Sequence, residues 1–175
     1  MKFGSKGKKS ITALVVGLDN SGKSSIVNQF KPKKMMVKEI TPTVGFKIEE
    51  FKAAGTSWKM YDMSGQGRYR NLWSKFYQEI EAVVFVVDAS DRLRMVVARE
   101  ELKTVIESPE LSRAPVLVLL NKTDVAGHED SATVMDLLEL PQLLASHTWT
   151  MMSASAVKDE GLEDALSWIV SSVRT

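Results

Sequence analysis

Gly17-Leu18-Asp19-Asn20-Ser21-Gly22-Lys23-Ser24 follows an apolar run, Ile11-Thr12-Ala13-Leu14-Val15-Val16, and precedes an amphipathic segment carrying Ile26, Val27 and Phe30. A buried strand, a tight glycine loop and a helix start, in that order, predict a phosphate-binding P-loop. The glycines let successive backbone N–H groups turn inward around a phosphate, and the helix presents its positive end to it. Asp19, Asn20, Ser21, Gly22, Lys23, Ser24 and Ser25 are therefore candidate nucleotide contacts. Lys23 is expected at the β- and γ-phosphates and Ser24 on Mg²⁺.

The rest of the chain has room for one core around that loop. Its 175 residues are enough to bury about 70% of the unfolded surface without a staple. Zero cysteines fit a reducing compartment. The longest apolar runs, Ala82 to Val87 and Pro115 to Leu120, are far too short to span a membrane. A net charge of +1 argues against bulk attraction to nucleic acid. Lysines nevertheless crowd residues 1–10, read as a mobile basic arm able to touch anionic lipid, and the loop Lys31 to Thr43. Residues 11–175 are expected to form a single domain.

Strands and helices alternate along it. Phe46 to Phe51 and Trp58 to Asp62 alternate apolar and polar around the turn Lys52-Ala53-Ala54-Gly55, a β-hairpin. Leu72, Trp73, Phe76 and Tyr77 recur at helical spacing over 71–80. Ala82 to Val87 and Pro115 to Leu120 are apolar on both faces, as strands covered by helices must be. A helix is expected from the stripe Leu93 to Ile106, another interrupted at Pro141, a last strand at Trp149 to Met152, and a final helix through Leu162, Leu166, Ile169 and Val173. This is an α/β fold: a six-stranded, mostly parallel sheet with one antiparallel edge strand from the hairpin, flanked by helices on both faces. Ligands bind at the carboxyl ends of such strands.

Four further loops open on that edge. In Asp62-Met63-Ser64-Gly65-Gln66 the carboxylate can hold Mg²⁺, Gly65 can offer its N–H to a γ-phosphate, and Gln66 can orient the attacking water. Alone, this motif is only a turn after a strand; behind a P-loop it gains a role. Thr43, ending the long loop, could complete the Mg²⁺ shell only when a γ-phosphate is present. Asn121-Lys122-Thr123-Asp124 follows a buried strand, and the Asp124 carboxylate can accept from the ring N–H and amine of guanine, a pair that adenine cannot supply. The Lys122 stem can cover the base plane. Ser153-Ala154 could give a backbone N–H to the guanine oxygen, with a shift of one residue left open within 152–156. Asp19 sets a carboxylate among the expected phosphates, and the sequence offers no reason for it.

Taken together these five segments resemble the nucleotide motifs of small GTPases. Leu18-Asp19-Asn20, Pro42-Thr43-Val44-Gly45-Phe46, Trp73 and Ser90-Asp91-Arg92 resemble the ADP-ribosylation-factor branch, and the runs Asp62 to Trp73 and Ser90 to Ala98 are similar to its ADP-ribosylation-factor-like members that recruit the BBSome coat to ciliary membranes. The resemblance implies a P-loop small GTPase fold binding GTP or GDP with Mg²⁺ held by Ser24, Thr43 and Asp62, and slow hydrolysis by Gln66, Lys23 and Gly65. It also implies an effector coat, an exchange factor and an activating protein as partners of a monomer that binds no nucleic acid. Its place would be cytoplasmic, peripheral at the ciliary or flagellar base or membrane. The hairpin between the switch loops shifts register with nucleotide state in this branch, and Phe46, Tyr61 and Phe76 match its aromatic contacts. Lys2 stands where acylated relatives carry glycine, so acylation is not carried over. Two rival classes remain at this point: a nucleotide-loaded adaptor without hydrolysis, and an ATP-using P-loop kinase.

Overall fold

A computed structural model describes residues 10–174. Six strands form one sheet in the order β2-β3-β1-β4-β5-β6. They are β1 (Ser10–Val16), β2 (Phe46–Ala53), β3 (Thr56–Met63), β4 (Ala82–Asp88), β5 (Val116–Asn121) and β6 (Trp149–Ser153). Every pairing is parallel except β2 with β3. The hairpin turns on Ala54 and Gly55 alone, both at positive φ (50° and 67°). That is the backbone twist a two-residue connection requires, so Lys52 and Ala53, expected in the turn, continue the ladder against Ser57 and Thr56.

Successive residues of β1 point to opposite faces and seed two cores. Ile11, Ala13 and Val15 join Ile26, Phe30, Leu166 and Ile169 on one side, beneath α1 (Lys23–Phe30) and α5 (Leu162–Val173). Leu14 and Val16 join Phe85, Leu102 and Val118 on the other, beneath α2 (Met95–Ile106) and α3 (Ser131–Leu137), with the single turn α4 (Leu140–Leu143) beside them. The parallel strands release their chains at Gly17, Ser64, Ala89, Lys122 and Ala154, all on one edge.

Some expectations shift. Ser10 already pairs with Ser57, so the arm read as residues 1–10 ends one residue earlier, and the mobility expected of it lies outside the described residues. The helix expected over 71–80 starts at Gly67 and is wound as 3₁₀ as far as Glu79. Over so short a stretch the spacing of buried residues does not separate three from 3.6 residues per turn. The helix before β6 breaks ahead of Pro141, at Glu139, whose φ is 52°.

Candidate functional site

The P-loop wraps a cleft of about 420 Å³ lined by Asp19 to Ser25 segments, Ile40 to Thr43, and Met63 to Gln66. Close approach dictates its glycines. A Cβ on Gly17 would stand 2.3 Å from the Val86 carbonyl oxygen, and one on Gly22 would stand 2.2 Å from Asn121 Nδ2. Gly65 is packed so tightly on the loop that a Cβ there would meet Asp19 N and Leu18 C, both at 2.3 Å, and Lys23 Nζ at 2.5 Å. The Asp19 N–H donates to the Gly65 carbonyl at 3.1 Å, fastening the two loops together. Lys23 is buried and donates to the Leu18 carbonyl at 2.8 Å. Burial pulls its ammonium down to about 8, against the pull of Asp62 and Asp19 in the other direction. A cation short of acceptors suits a seat for an anion.

Ser24, Thr43 and Asp62 converge from α1, the long loop and β3. Ser24 Oγ donates to Asp62 Oδ2 at 2.6 Å and lies 2.9 Å from Thr43 Oγ1. Both Thr43 and Asp62 are buried, and Asp62 Oδ1 has no hydrogen-bond partner. Burial raises the Asp62 carboxyl, partly offset by the Ser24 bond and the Lys23 charge. An orphaned carboxylate oxygen beside two hydroxyls is an oxygen donor set that fits a hard cation such as Mg²⁺. Gln66 borders the cleft, and its Oε1 accepts from Arg68 Nε at 3.2 Å. The long loop is anchored by Asn28, whose side chain exchanges two bonds with the Val37 backbone, at 2.9 and 3.0 Å.

The base side is cross-braced. Buried Asn121 donates from Nδ2 to the Ser21 carbonyl at 2.9 Å and accepts at Oδ1 from the Ala156 N–H at 3.2 Å. Lys122 reaches the Asn20 carbonyl and pairs with Asp88 Oδ2 at 2.8 Å, so its stem crosses from one motif to the other. Ser155 Oγ donates to Asp124 Oδ1 at 2.7 Å and, despite some desolvation, holds that carboxyl below its ordinary range. Within the run 152–156, left open by the sequence, the residues differ in what they already bond. Ser153 still belongs to β6, with its hydroxyl 3.2 Å from that of Ser131, and the Ala154 N–H is spent on the Leu120 carbonyl at 2.8 Å. The Ala154 carbonyl accepts from the Thr123 N–H at 3.3 Å and Oγ1 at 2.9 Å, so Ala154, Ser155 and Ala156 all meet the Asn121-Lys122-Thr123-Asp124 loop.

Asp19 does not turn its charge on the phosphate cradle alone. Arg94 NH1 donates to its Oδ1 at 2.8 Å while Arg94 NH2 donates to its carbonyl, also at 2.8 Å, and Arg70 NH2 stands 3.5 Å from Oδ1. Partial burial would raise the Asp19 carboxyl, but Arg94 and then Arg70 outweigh it and hold it below the usual carboxylate range.

Known proteins resemble this chain in both fold and sequence. The ADP-ribosylation factor family matches residues 1–173. The chain belongs to that family. ADP-ribosylation factor-like protein 6 of Danio rerio is 44% identical over 169 residues, 95% of this chain and 90% of that protein. The Caenorhabditis elegans protein of the same name is 39% identical over 162 residues, 91% of this chain and 85% of its own length. The structure of the Arl6 BBS3 small GTPase from Trypanosoma brucei, with bound nucleotide analogue GppNp, superposes at a TM-score of 0.89 with 32% identity, covering 95% of this chain and 98% of that one.

As an Arf-family small GTPase the protein binds guanine nucleotide and hydrolyses GTP. The aromatic contacts carried over for the family meet here: Phe76 lies 4.8 Å from both Phe46 and Tyr61, ring centre to ring centre. Phe46 is 40% exposed, so the cluster opens at the surface instead of closing into the core. Within this Arf-family site, sequence reasoning gave no role to Asn28, Arg70 or Arg94. Ser155 and Ala156 fall inside the run 152–156 that it left open, because the repeat Ser153-Ala154-Ser155-Ala156 offers two registers for one motif.

Proposed function

We propose that this GTPase is a slow regulatory switch whose GTP form recruits a BBSome-like effector coat for ciliary membrane protein trafficking. Support for the partner comes from the two relatives named ADP-ribosylation factor-like protein 6, at 44% and 39% identity. Membrane contact is peripheral, at the ciliary or flagellar base, and no helix among the described residues is long and apolar enough to cross a membrane. An exchange factor and an activating protein complete the cycle of a monomeric switch.

The observation that carries the switch itself is the meeting of Ser24 with buried Thr43 and Asp62 in one cluster. These three would hold Mg²⁺, which when bound adds positive charge beside the transferred phosphoryl oxygens. Asp19 to Ser25 cradle the phosphates with backbone N–H groups and Lys23, while Gly65 lets its own N–H approach the γ-phosphate. Asp124 reads guanine with Lys122 beneath the base, Asn121 braces both motifs, and Ser155-Ala156 take the part expected of Ser153-Ala154. Gln66 orients a water for in-line attack; the bond from water oxygen to the γ-phosphorus forms as that to the β-phosphate oxygen breaks, giving GDP and phosphate. No arginine among the described residues lines the cleft. Turnover is therefore slow until an activating protein supplies one, a contribution of roughly 10³–10⁵ in rate.

The coat assignment is tested by capture of purified BBSome on immobilised protein loaded with GTP analogue or with GDP. Retention by the GTP form alone is the expected result. Equal capture by both forms, or by neither, rejects it.

A further inference from the structure

Asp19, Arg70, Arg94 and Gly65 form a network that crosses three elements. Arg70 lies in the 3₁₀ segment after Gln66, and its Nε donates to the Gly65 carbonyl at 2.8 Å. The Asp19 N–H donates to the same carbonyl at 3.1 Å. Arg70 also bonds Glu101 of α2 at 3.1 Å and faces Asp19 at 3.5 Å. Arg94, at the start of α2, is held on its other side by Asp91, with Nε to Oδ2 at 2.6 Å, and grips both the carboxylate and the carbonyl of Asp19. The side chains of Arg70 and Arg94 are 17% and 33% exposed, so neither is a freely moving surface group.

One carbonyl, that of Gly65, thus receives two donors fixed from different directions. The residue that follows it is Gln66. A peptide plane whose oxygen is pinned twice has its rotation fixed, and the direction in which the chain continues is fixed with it. We propose that Asp19, gripped by Arg94 and Arg70, is a positioning residue that fastens the Gly65 turn to the P-loop and so sets where Gln66 stands during hydrolysis. The proposal rests on the role given above to Gln66. It accounts for a carboxylate inside a phosphate-binding loop: its charge faces two guanidinium groups, shared with Asp91 and Glu101, and its repulsion of a phosphate is reduced by them.

Single-turnover phosphate release from GTP-loaded protein tests it, with wild type, Arg94→Gln, Asp19→Asn, their double variant and Gln66→Leu side by side. Thermal unfolding midpoints and GDP affinities are measured on the same samples. Partly exposed ion pairs of this kind have modest energies, so each single variant should slow release by about fivefold. Arg94→Gln should retain its unfolding midpoint and its GDP affinity, separating rate from binding. The double variant should be no slower than the slower single, because the Arg94–Asp19 side-chain pair is lost in both and the proposed effect on Gln66 runs through it. Amide exchange over 65–69 in the GTP-analogue form should be faster in Arg94→Gln than in wild type. Wild-type or faster release in the single variants, multiplying effects in the double, or unchanged exchange each overturn the proposal. If instead Gln66→Leu hydrolyses like wild type, the role of Gln66 fails. If Gln66→Leu is inactive and Arg94→Gln is not slowed, the clamp alone fails.

Discussion

The two halves of the nucleotide site are built differently. On the base side each motif residue is tied to another loop: Asn121 to Ser21 and Ala156, Lys122 to Asn20 and Asp88, Thr123 twice to the Ala154 carbonyl, and Ser155 to Asp124. On the phosphate side Ser24, Thr43 and Asp62 bond chiefly to one another, and an oxygen of Asp62 is left over. The long loop there holds on through Asn28, and the turn at Gly65 through two arginines and a backbone bond. A cross-braced region has one arrangement and reads identity. A region whose polar groups are completed only by a ligand has two, and reads state.

Substitutions sharpen or break that contrast. The largest effect is expected for Asp124→Asn, which turns an acceptor of two guanine donors into a mixed group: affinity for GDP and GTP analogue should fall together, by roughly 10³-fold. Nucleotide titration checks it, and a fall confined to one of the two nucleotides would mean that the base side senses state after all. Gln66→Leu should leave both affinities intact and slow single-turnover hydrolysis by about 10²-fold or more, within the range of a lost positioning group. Ser24→Asn should weaken GTP binding in Mg²⁺ by about tenfold or more and abolish its sensitivity to chelator, since a hydroxyl ligand is replaced by an amide. Titrations with and without chelator decide this, and wild-type behaviour in both would remove Ser24 from the ion.

Ser155→Ala is the mildest. It should lower both affinities roughly fivefold at neutral pH while keeping their ratio, as for one lost hydrogen bond. It also carries a pH signature. Ser155 is the main reason that the Asp124 carboxyl sits below its ordinary value. A depressed carboxyl contributes above the ordinary aspartate range and stops contributing as pH falls through its folded-state value. Without Ser155 that value moves up, and nucleotide release on acidification should begin at higher pH than in wild type. Identical acid profiles would detach Ser155 from Asp124.

The P-loop and Asn121-Lys122-Thr123-Asp124 were legible because each is contiguous and the chemistry resides in a local turn. A glycine at 17 and another at 22 are needed by the loop's own geometry as much as by its neighbours. The sheet was legible from strands apolar on both faces, which have few other places to go. Thr43 and Asp62 were legible only through their order behind the P-loop, since neither carries a signal of its own. Which serine of the run 152–156 meets Asp124 was not legible; the structure shows Ser155 there. Nothing in Met152 to Ala156 says where β6 lets go of Leu120, and that depends on pairing with a strand far back in the chain.

By itself, then, the sequence determined that a glycine P-loop motif, an Asn121-Lys122-Thr123-Asp124 loop after a buried strand and a mostly parallel sheet coexist in this chain, because those follow from local backbone geometry and the period of apolar residues. Only the tertiary structure decided what Asp19 faces. Arg94 lies 75 positions away and Arg70 lies 51 positions away, and no local rule couples residues so distant. Their meeting is set by the register of β1 between β3 and β4, which brings the turn at Gly65 and the start of α2 onto the same loop.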